Sequence, residues 1–382
     1  MIGDAIITNA IIRKTLVCLL CAGVLCLSAH LVLSPKKDYS ENENRYLAPF
    51  PTPSLETVLD GEFMDALSDW LADHFPRRDF FVGLKSGVEI ASGRRCVNRI
   101  YVAEDDYLIE PYDRPQNTER ITDTLRHFYE KIDTDRIDLH LMLVPTAVTV
   151  YSDKLPAYAP SCDQLETARA IYDATGIPAI DCTQRLLDGA SQGQLYYRTD
   201  HHWTTFGAYQ GYLAYCDTKG LTPLALTSLT ARTVTEDFAG TLYSKINDYG
   251  HRRDEITVYT NPEDTLTVTY LDTGEVTDSL YNFDYLEEKD KYSLFLNNIH
   301  PLIVIENTSA ASQDELMLVK DSYANSMVPF LAHHYRKIYV FDTRYYRDGP
   351  SSFLDDHETV TDILLLYNLN TLDGDTGIRG IY

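Results

Sequence analysis

Basic residues are scarce in this chain of 382 residues: 33 Lys and Arg stand against 57 Asp and Glu, for a formal net charge of −24. That shortage argues against a nucleic-acid binder, which needs cations to replace the counterions on phosphates. It argues equally against a body that lies on anionic lipid. No internal repeat and no low-complexity tract is visible. Cysteine offers no zinc-site spacing. Three of the seven cysteines (Cys18, Cys21 and Cys26) sit in one apolar segment, leaving Cys96, Cys162, Cys182 and Cys216. Cys162 and Cys182 border one helix-turn-strand unit and could pair in an oxidising compartment; free thiols fit the spacing as well.

The remaining composition, 44% hydrophobic and 24% charged, is that of a globular protein and excludes wholesale disorder. At about 150 residues per domain the length suits one large domain or two modest ones. One segment escapes the acidity. Thr15 to Leu33 has no formally charged residue, is preceded by Arg13 and Lys14 and is followed by Lys36 and Lys37. It is close to the roughly 20 apolar residues that cross a bilayer. Cleavage after Ala29 would put Leu27 at a position where a signal peptidase wants a small residue, and no lipidation box precedes Cys18, Cys21 or Cys26. The segment therefore reads as an uncleaved signal anchor, with a cleaved signal peptide as the alternative and a buried core helix as a third reading. Either export reading places residues after about 35 outside the cytoplasm. Residues 34–382 then hold 31 basic and 56 acidic side chains, so the exported part carries all of the acidity.

The expected organisation is a cytoplasmic N-terminus over 1–14, a transmembrane helix over 15–33, a linker over 34–54 and one domain over 55–382. The linker carries Pro35, Pro51 and Pro53. Helical patterning runs from Leu55 to about Ser92, broken at Phe75-Pro76-Arg77-Arg78, and Tyr101–Glu110 reads as a hairpin around Asp105-Asp106. Ile121, Leu125, Phe128 and Ile132 recur at spacings of 4, 3 and 4, which predicts a helix capped by Asn117. Leu139–Val144 is a buried-strand run, Ser161 and Gly176 bound a further helix, and Ile177–Ile180 is a short strand. This rhythm predicts an α/β fold: three layers, α/β/α, around a mostly parallel sheet. Residues 223–300, dense in Thr, Tyr and Val, read as a β-rich insertion within that domain. It includes Glu255–Thr260, then Leu266–Tyr270 and a turn at Asp272-Thr273-Gly274. The α/β rhythm resumes with a strand at Leu316–Val319, a helix from about Tyr323 to His334, and strands at Lys337–Phe341 and Asp362–Tyr367.

Two runs carry candidate chemistry. In Asp200-His201-His202-Trp203, residues two apart in an extended segment project to one side. Asp200 would then fix and charge-stabilise the His202 imidazole as a general base requires, with His201 facing away and Trp203 walling the site or stacking on a sugar. Two histidines and an aspartate can also bind a metal, but this is not expected, because adjacent histidines cannot easily converge on one ion. The second run, Lys320-Asp321-Ser322-Tyr323-Ala324-Asn325, places a serine where a strand ends and a helix begins. Open α/β sheets bind their ligands there, and the free N–H groups of a helix start can hold an oxyanion. Each run taken alone also reads as a helix cap.

Together the runs resemble the DHHW protein family, which is similar in turn to the alginate O-acetyltransferase-like branch of SGNH hydrolases. Further echoes are Phe75-Pro76-Arg77-Arg78-Asp79, Val144-Pro145-Thr146, Phe238-Ala239-Gly240-Thr241-Leu242 and Tyr339–Tyr345. The resemblance implies an SGNH-hydrolase-like fold with Ser322 as nucleophile, His202 as general base and Asp200 as its orienting carboxylate. Lys320-Asp321-Ser322 departs from the usual Gly-Asp-Ser, the order Asp-His-then-Ser is permuted, and no Gly-x-Asn-Asp block is present. The side chains of the oxyanion hole or substrate site are therefore drawn from near candidates: Trp203, Tyr323, Asn325 and Arg344.

The resemblance and the two runs together imply an extracytoplasmic, membrane-anchored serine acyltransferase that O-acetylates a cell-surface or secreted polysaccharide, with no cofactor and no metal. A membrane-bound O-acyltransferase is the partner that the resemblance implies. An esterase with the same triad, and a non-catalytic glycan-binding surface protein using some of the 28 tyrosines, are the alternatives. The acid surplus requires an acceptor that is neutral or that reaches a basic patch, such as one near Arg344 and Arg347, and speaks against a polyuronate.

Overall fold

A computed structural model describes residues 2–40, 45–247 and 250–381. The chain divides into two compact units, Met1–Val88 and Glu89–Tyr382. In the first, a helix spans Ile2–Leu33. Its Ile12–Leu33 stretch of 22 residues has a mean hydropathy of 2.5 and none of it is buried. At 1.5 Å per residue it is about 33 Å long, enough to cross a bilayer by length and composition. Helices follow at Leu55–Leu59 and Glu62–Asp73. The break expected at Pro76 separates the latter from a helix over Arg78–Ala91.

The second unit is built on a seven-stranded sheet. Its strands are β1 (Asp138–Val144), β2 (Leu266–Tyr270), β3 (Glu275–Thr277), β4 (Leu302–Asn307), β5 (Glu315–Lys320), β6 (Lys337–Phe341) and β7 (Val360–Asn368), in spatial order β3-β2-β4-β6-β5-β7-β1. The β6-β5-β7-β1 half is parallel. Parallel strands are covered on both faces and so read as continuous apolar runs; Leu316, Met317, Leu318 and Val319 of β5 are all 0% exposed. The other half is antiparallel, β4 pairing with β6 and β2, and β2 with β3. The β-rich insertion thus supplies the last two strands at one side of the main sheet, with β3 at the edge, and Gly274 takes the left-handed backbone (φ 73°) that its β2–β3 turn requires. The rest of the insertion pairs Thr230–Phe238 with Asp254–Thr260.

Helices over Thr118–Lys131, Gln164–Thr175 and Thr205–Lys219 complete the α/β/α architecture. Ile121, Leu125 and Phe128 are buried at the predicted period, each contributing about 1.5–3 kcal/mol. Asp105 and Asp106 adopt φ of 57° and 62° in the connection between Ile100–Val102 and Leu108–Ile109, the expected hairpin.

Three details differ from expectation. The helix Gln164–Thr175 is capped by Asp163, whose carboxylate accepts from the N–H of Leu165 and Glu166, and not by Ser161. The run at 177–180 is reduced to a parallel bridge between Ala179 and Leu141. The helix expected over 323–334 is split into a 3₁₀ turn, Ser322–Ser326, and a short α-helix, Val328–Leu331. Pro329 accounts for the split: it has no N–H to donate back and fits only a helix's first turn. Of the two readings left open for Cys162 and Cys182, the structure has free thiols, Cys162 exposed and Cys182 buried.

Candidate active site

Ser322 sits immediately beyond the C-terminal end of β5. Asp321 aims it: one carboxylate oxygen accepts from the Tyr323 N–H (2.9 Å), and the other from the main-chain and side-chain N–H of Asn368 at the end of β7 (2.7 Å each). These bonds tie the turn to the neighbouring strand. Burial pushes the Asp321 carboxyl up to about 6 against the pull of those donors.

The Asp-His-His-Trp run closes a hairpin-like loop. Tyr196 bridges Trp203, the Tyr197 N–H donates to the His202 carbonyl, and Thr204 caps the following helix by accepting from the Gly207 N–H. Within this loop Asp200 Oδ1 accepts from both the N–H (3.0 Å) and Nδ1 (2.5 Å) of His202. A tight turn, not an extended segment, brings the two side chains together. His202 Nε2 lies 2.7 Å from Ser322 Oγ. With Nδ1–H donated to Asp200, Nε2 accepts the serine proton, the arrangement of a Ser-His-Asp relay. His201 does not face away as expected. Its ring lies 3.9 Å, centroid to centroid, from His202, its Nδ1 bonds Thr241 Oγ1 (2.7 Å) and its side chain remains 32% exposed.

Burial alone would raise the Asp200 carboxyl. The His201 and His202 rings, with the hydrogen bonds from His202 and the Thr241 N–H, hold it below the usual carboxylate range. Burial, reinforced by His201, lowers His202 to about 4 against the pull of Asp200. The imidazole is therefore neutral at neutral pH and able to take a proton.

Two contributors were not singled out from the sequence. Tyr292, in the insertion, stacks on His202 at 3.8 Å and donates its OH to the Ser322 carbonyl (3.0 Å). Thr241 donates its N–H to Asp200 Oδ2 (2.8 Å), and its hydroxyl donates to the same oxygen (3.1 Å). A Cβ on the adjacent Gly240 would lie 2.2 Å from Asp200 Oδ2, so only glycine lets the backbone approach this closely. The Phe238–Leu242 run held the signal for Gly240 and Thr241; nothing distinguishes Tyr292 from the other tyrosines before folding.

The remaining candidates fall elsewhere. Trp203 is fully buried and donates its indole N–H to the Tyr323 carbonyl (2.8 Å), so no face is open to stack on a sugar. Tyr323 is also buried, its OH donating to the His201 carbonyl, and its N–H is spent on Asp321 and not offered to an oxyanion. Asn325 is 5% exposed, and its Oδ1 is buried without a partner among the described residues. Arg344 grips the buried Asp342 through Nε (2.8 Å) and Nη2 (2.6 Å), which leaves little of its charge for a substrate. Asp200, His201 and His202 bring potential ligand atoms within 4.8 Å of one another. Both ring nitrogens of His202 are already engaged, by Asp200 and Ser322.

A serine at the end of a parallel strand, hydrogen-bonded to an Asp-x-His loop in a three-layer α/β fold, is the arrangement that the resemblance to SGNH hydrolases implies. Residues 101–250 match the family described as the SGNH hydrolase-like domain of the acetyltransferase AlgX. The chain is 25% identical over 173 residues to the probable alginate O-acetylase AlgJ of Pseudomonas syringae pv. tomato, covering 43% of this chain and 44% of that one. The match thus spans less than half the length of that relative. Among solved structures, a DHHW family protein from Eubacterium siraeum superposes with a TM-score of 0.63 at 24% identity, covering 74% of this chain and 95% of that one. Bacillus cereus PatB1 superposes at 0.61 with 20% identity, covering 73% and 98%. These two likenesses establish the fold. The resemblance read from the Asp-His-His-Trp and Lys-Asp-Ser-Tyr runs is borne out, and the chain is similar to SGNH-like acetyltransferases.

Proposed function

We propose that the protein is a membrane-anchored, extracytoplasmic O-acetyltransferase acting through an acyl-serine on a polysaccharide hydroxyl. The observation that carries this reading is the continuous contact from Asp200 through His202 to Ser322 Oγ, at 2.5 and 2.7 Å. His202 Nε2 takes the Ser322 proton as Oγ bonds the acyl carbon, and returns it to the departing donor group. A sugar hydroxyl then gives its proton to His202 and attacks the acyl carbon, and Ser322 Oγ leaves with that proton. Asp200 stays ionised throughout and steadies the imidazolium. In this reading the oxyanion is met by main-chain N–H groups of the 3₁₀ turn Ser322–Ser326 other than that of Tyr323, which is spent on Asp321.

The name of the Pseudomonas syringae relative, an alginate O-acetylase, supports a polysaccharide as acceptor. The apolar helix ending at Leu33 supports a signal anchor that places the rest of the chain outside the cytoplasm; a membrane-bound O-acyltransferase as acyl source is what the family resemblance implies. The test is labelling with a sulfonyl fluoride. Wild type takes one equivalent, on Ser322, and Ser322→Ala takes none; labelling that survives in Ser322→Ala removes the assignment.

A further inference from the structure

Lys36 ties the apolar helix to the helices that follow it. Its Nζ donates to the Leu31 carbonyl, in the last turn of the helix Ile2–Leu33, and lies 5.1 Å from the centre of the Trp70 ring. His74 stacks on the same indole at 4.8 Å, with its Nε2 3.2 Å from the Lys37 carbonyl. Phe50 meets the indole edge-on at 5.1 Å, and the Ala48 N–H donates to Asp73 (2.8 Å). The chain leaving the apolar helix is thus folded back onto the helix Glu62–Asp73, which sets Trp70 beside the apolar helix's end. In a membrane that level is the headgroup layer, where tryptophan concentrates and lysine reaches out of the acyl region.

The helices around Trp70 leave their apolar rows open. Leu55–Leu59 and Glu62–Asp73 bury no residue, and Arg78–Ala91 buries only Gly83 and Ser86. Leu55, Leu59, Met64, Phe80, Leu84 and Val88 are each more than half exposed. Leu55 and Leu59 stand four residues apart, as do Phe80, Leu84 and Val88 in turn, so each set lines one face of its helix. Amphipathic helices hide such faces against a core or in the boundary between headgroups and acyl chains. These helices follow a segment long enough to cross a bilayer and are bonded back to its end. Residues 55–88 carry seven acidic and three basic side chains, which disfavours an anionic lipid surface and leaves burial of the apolar rows as the hold. We infer that Leu55–Val88 is an interfacial collar around the anchor, lying in the headgroup layer of a zwitterionic bilayer with Trp70 and the apolar rows against the acyl chains. This rests on the signal-anchor reading above.

The test uses the full chain in phosphatidylcholine nanodiscs, with or without lipid brominated in the upper part of one acyl chain, since bromine quenches an indole only at near contact. The chain has two tryptophans and Trp203 is fully buried, so the difference between wild type and Trp70→Phe isolates the emission of Trp70. Brominated lipid is expected to remove most of that emission. Phe80→Trp, made in the Trp70→Phe chain, puts a second reporter on the helix Arg78–Ala91, and its emission is expected to be lost as well. A chain whose intact mass shows the apolar helix removed, or that stays soluble apart from the discs, overturns the anchor reading and this inference with it. A full-length, disc-bound chain with both reporters as bright in brominated as in ordinary discs overturns the inference alone, and leaves the apolar rows to a protein partner. Quenching confined to Trp70 overturns it too, because one aromatic beside the anchor is not a collar.

Discussion

The phenol ring of Tyr292 lies flat on the imidazole of His202, 3.8 Å between centroids and 9° from parallel, while its hydroxyl donates to the carbonyl of Ser322. One residue of the β-rich insertion thus holds the base and the serine in register. Tyr292→Phe removes only the hydroxyl bond and should lower stability by about 0.5–1.5 kcal/mol with a small effect on acylation. Tyr292→Ala frees the imidazole to rotate and should slow the nitrophenolate burst by roughly tenfold or more. Stopped-flow acylation together with urea melts separates the two effects.

Gly240→Ala forces a methyl into the Asp200 carboxylate, 2.2 Å from Oδ2. The chain should still fold, because Gly240 has an ordinary backbone conformation (φ −80°). Acylation should fall by roughly 10²–10⁴-fold, approaching the loss seen when a relay carboxylate is removed. Thr241→Val keeps the N–H bond to Asp200 and loses the hydroxyl bond, for a loss of about tenfold. Equal losses in the two variants would contradict the assigned geometry.

With His202 as the proposed base, the pH profile of acylation should follow its imidazole, lowered to about 4 by burial and by His201. A base must be unprotonated, so the rate rises with pH through about 4 and is level above it. His201→Asn removes a like charge beside His202, so the acid limb should move to higher pH. A purely structural role for His201 would lower the plateau without moving the limb.

Stability depends on the same groups. His202 binds its proton more weakly folded than unfolded, so its contribution is present above about 6.5 and is lost as pH falls from there toward 4. Asp200, also depressed, adds a loss at lower pH still. The buried His334, lowered to about 4 by burial, behaves like His202. Asp321, raised to about 6, binds its proton more strongly folded and so works the other way over the same window. The contribution of His202 is therefore read from the difference between wild type and His202→Gln: between pH 6.5 and 4 the wild type should lose more melting temperature than the variant, and identical slopes would show that His202 does not contribute.

Much of the fold is legible in the chain because strand interiors and hairpin tips are local. The runs that form β1, β5, β6 and β7 are apolar because parallel strands are buried on both faces, and Asp105-Asp106 tolerates the positive φ that its connection needs. The serine at the end of β5 and the Asp-x-His loop can be paired because each is chemically distinctive on its own. The features that escape a local reading depend on distant packing. His201 turns toward His202 because Thr241, forty residues on, takes its Nδ1, and Trp203 is drawn into the core by the Tyr323 carbonyl. Tyr292 reaches the site only once the insertion has folded onto it, and no local pattern marks one tyrosine among 28.

The central claim is that Ser322 carries the acyl group. Intact-mass spectrometry after mixing with 4-nitrophenyl acetate, followed by peptide mapping, tests it directly. A single acetyl adduct, on the peptide containing Ser322 in wild type and absent from Ser322→Ala and His202→Ala, is the predicted result. An adduct that forms at the wild-type rate in Ser322→Ala, or that maps to another residue, would contradict the account.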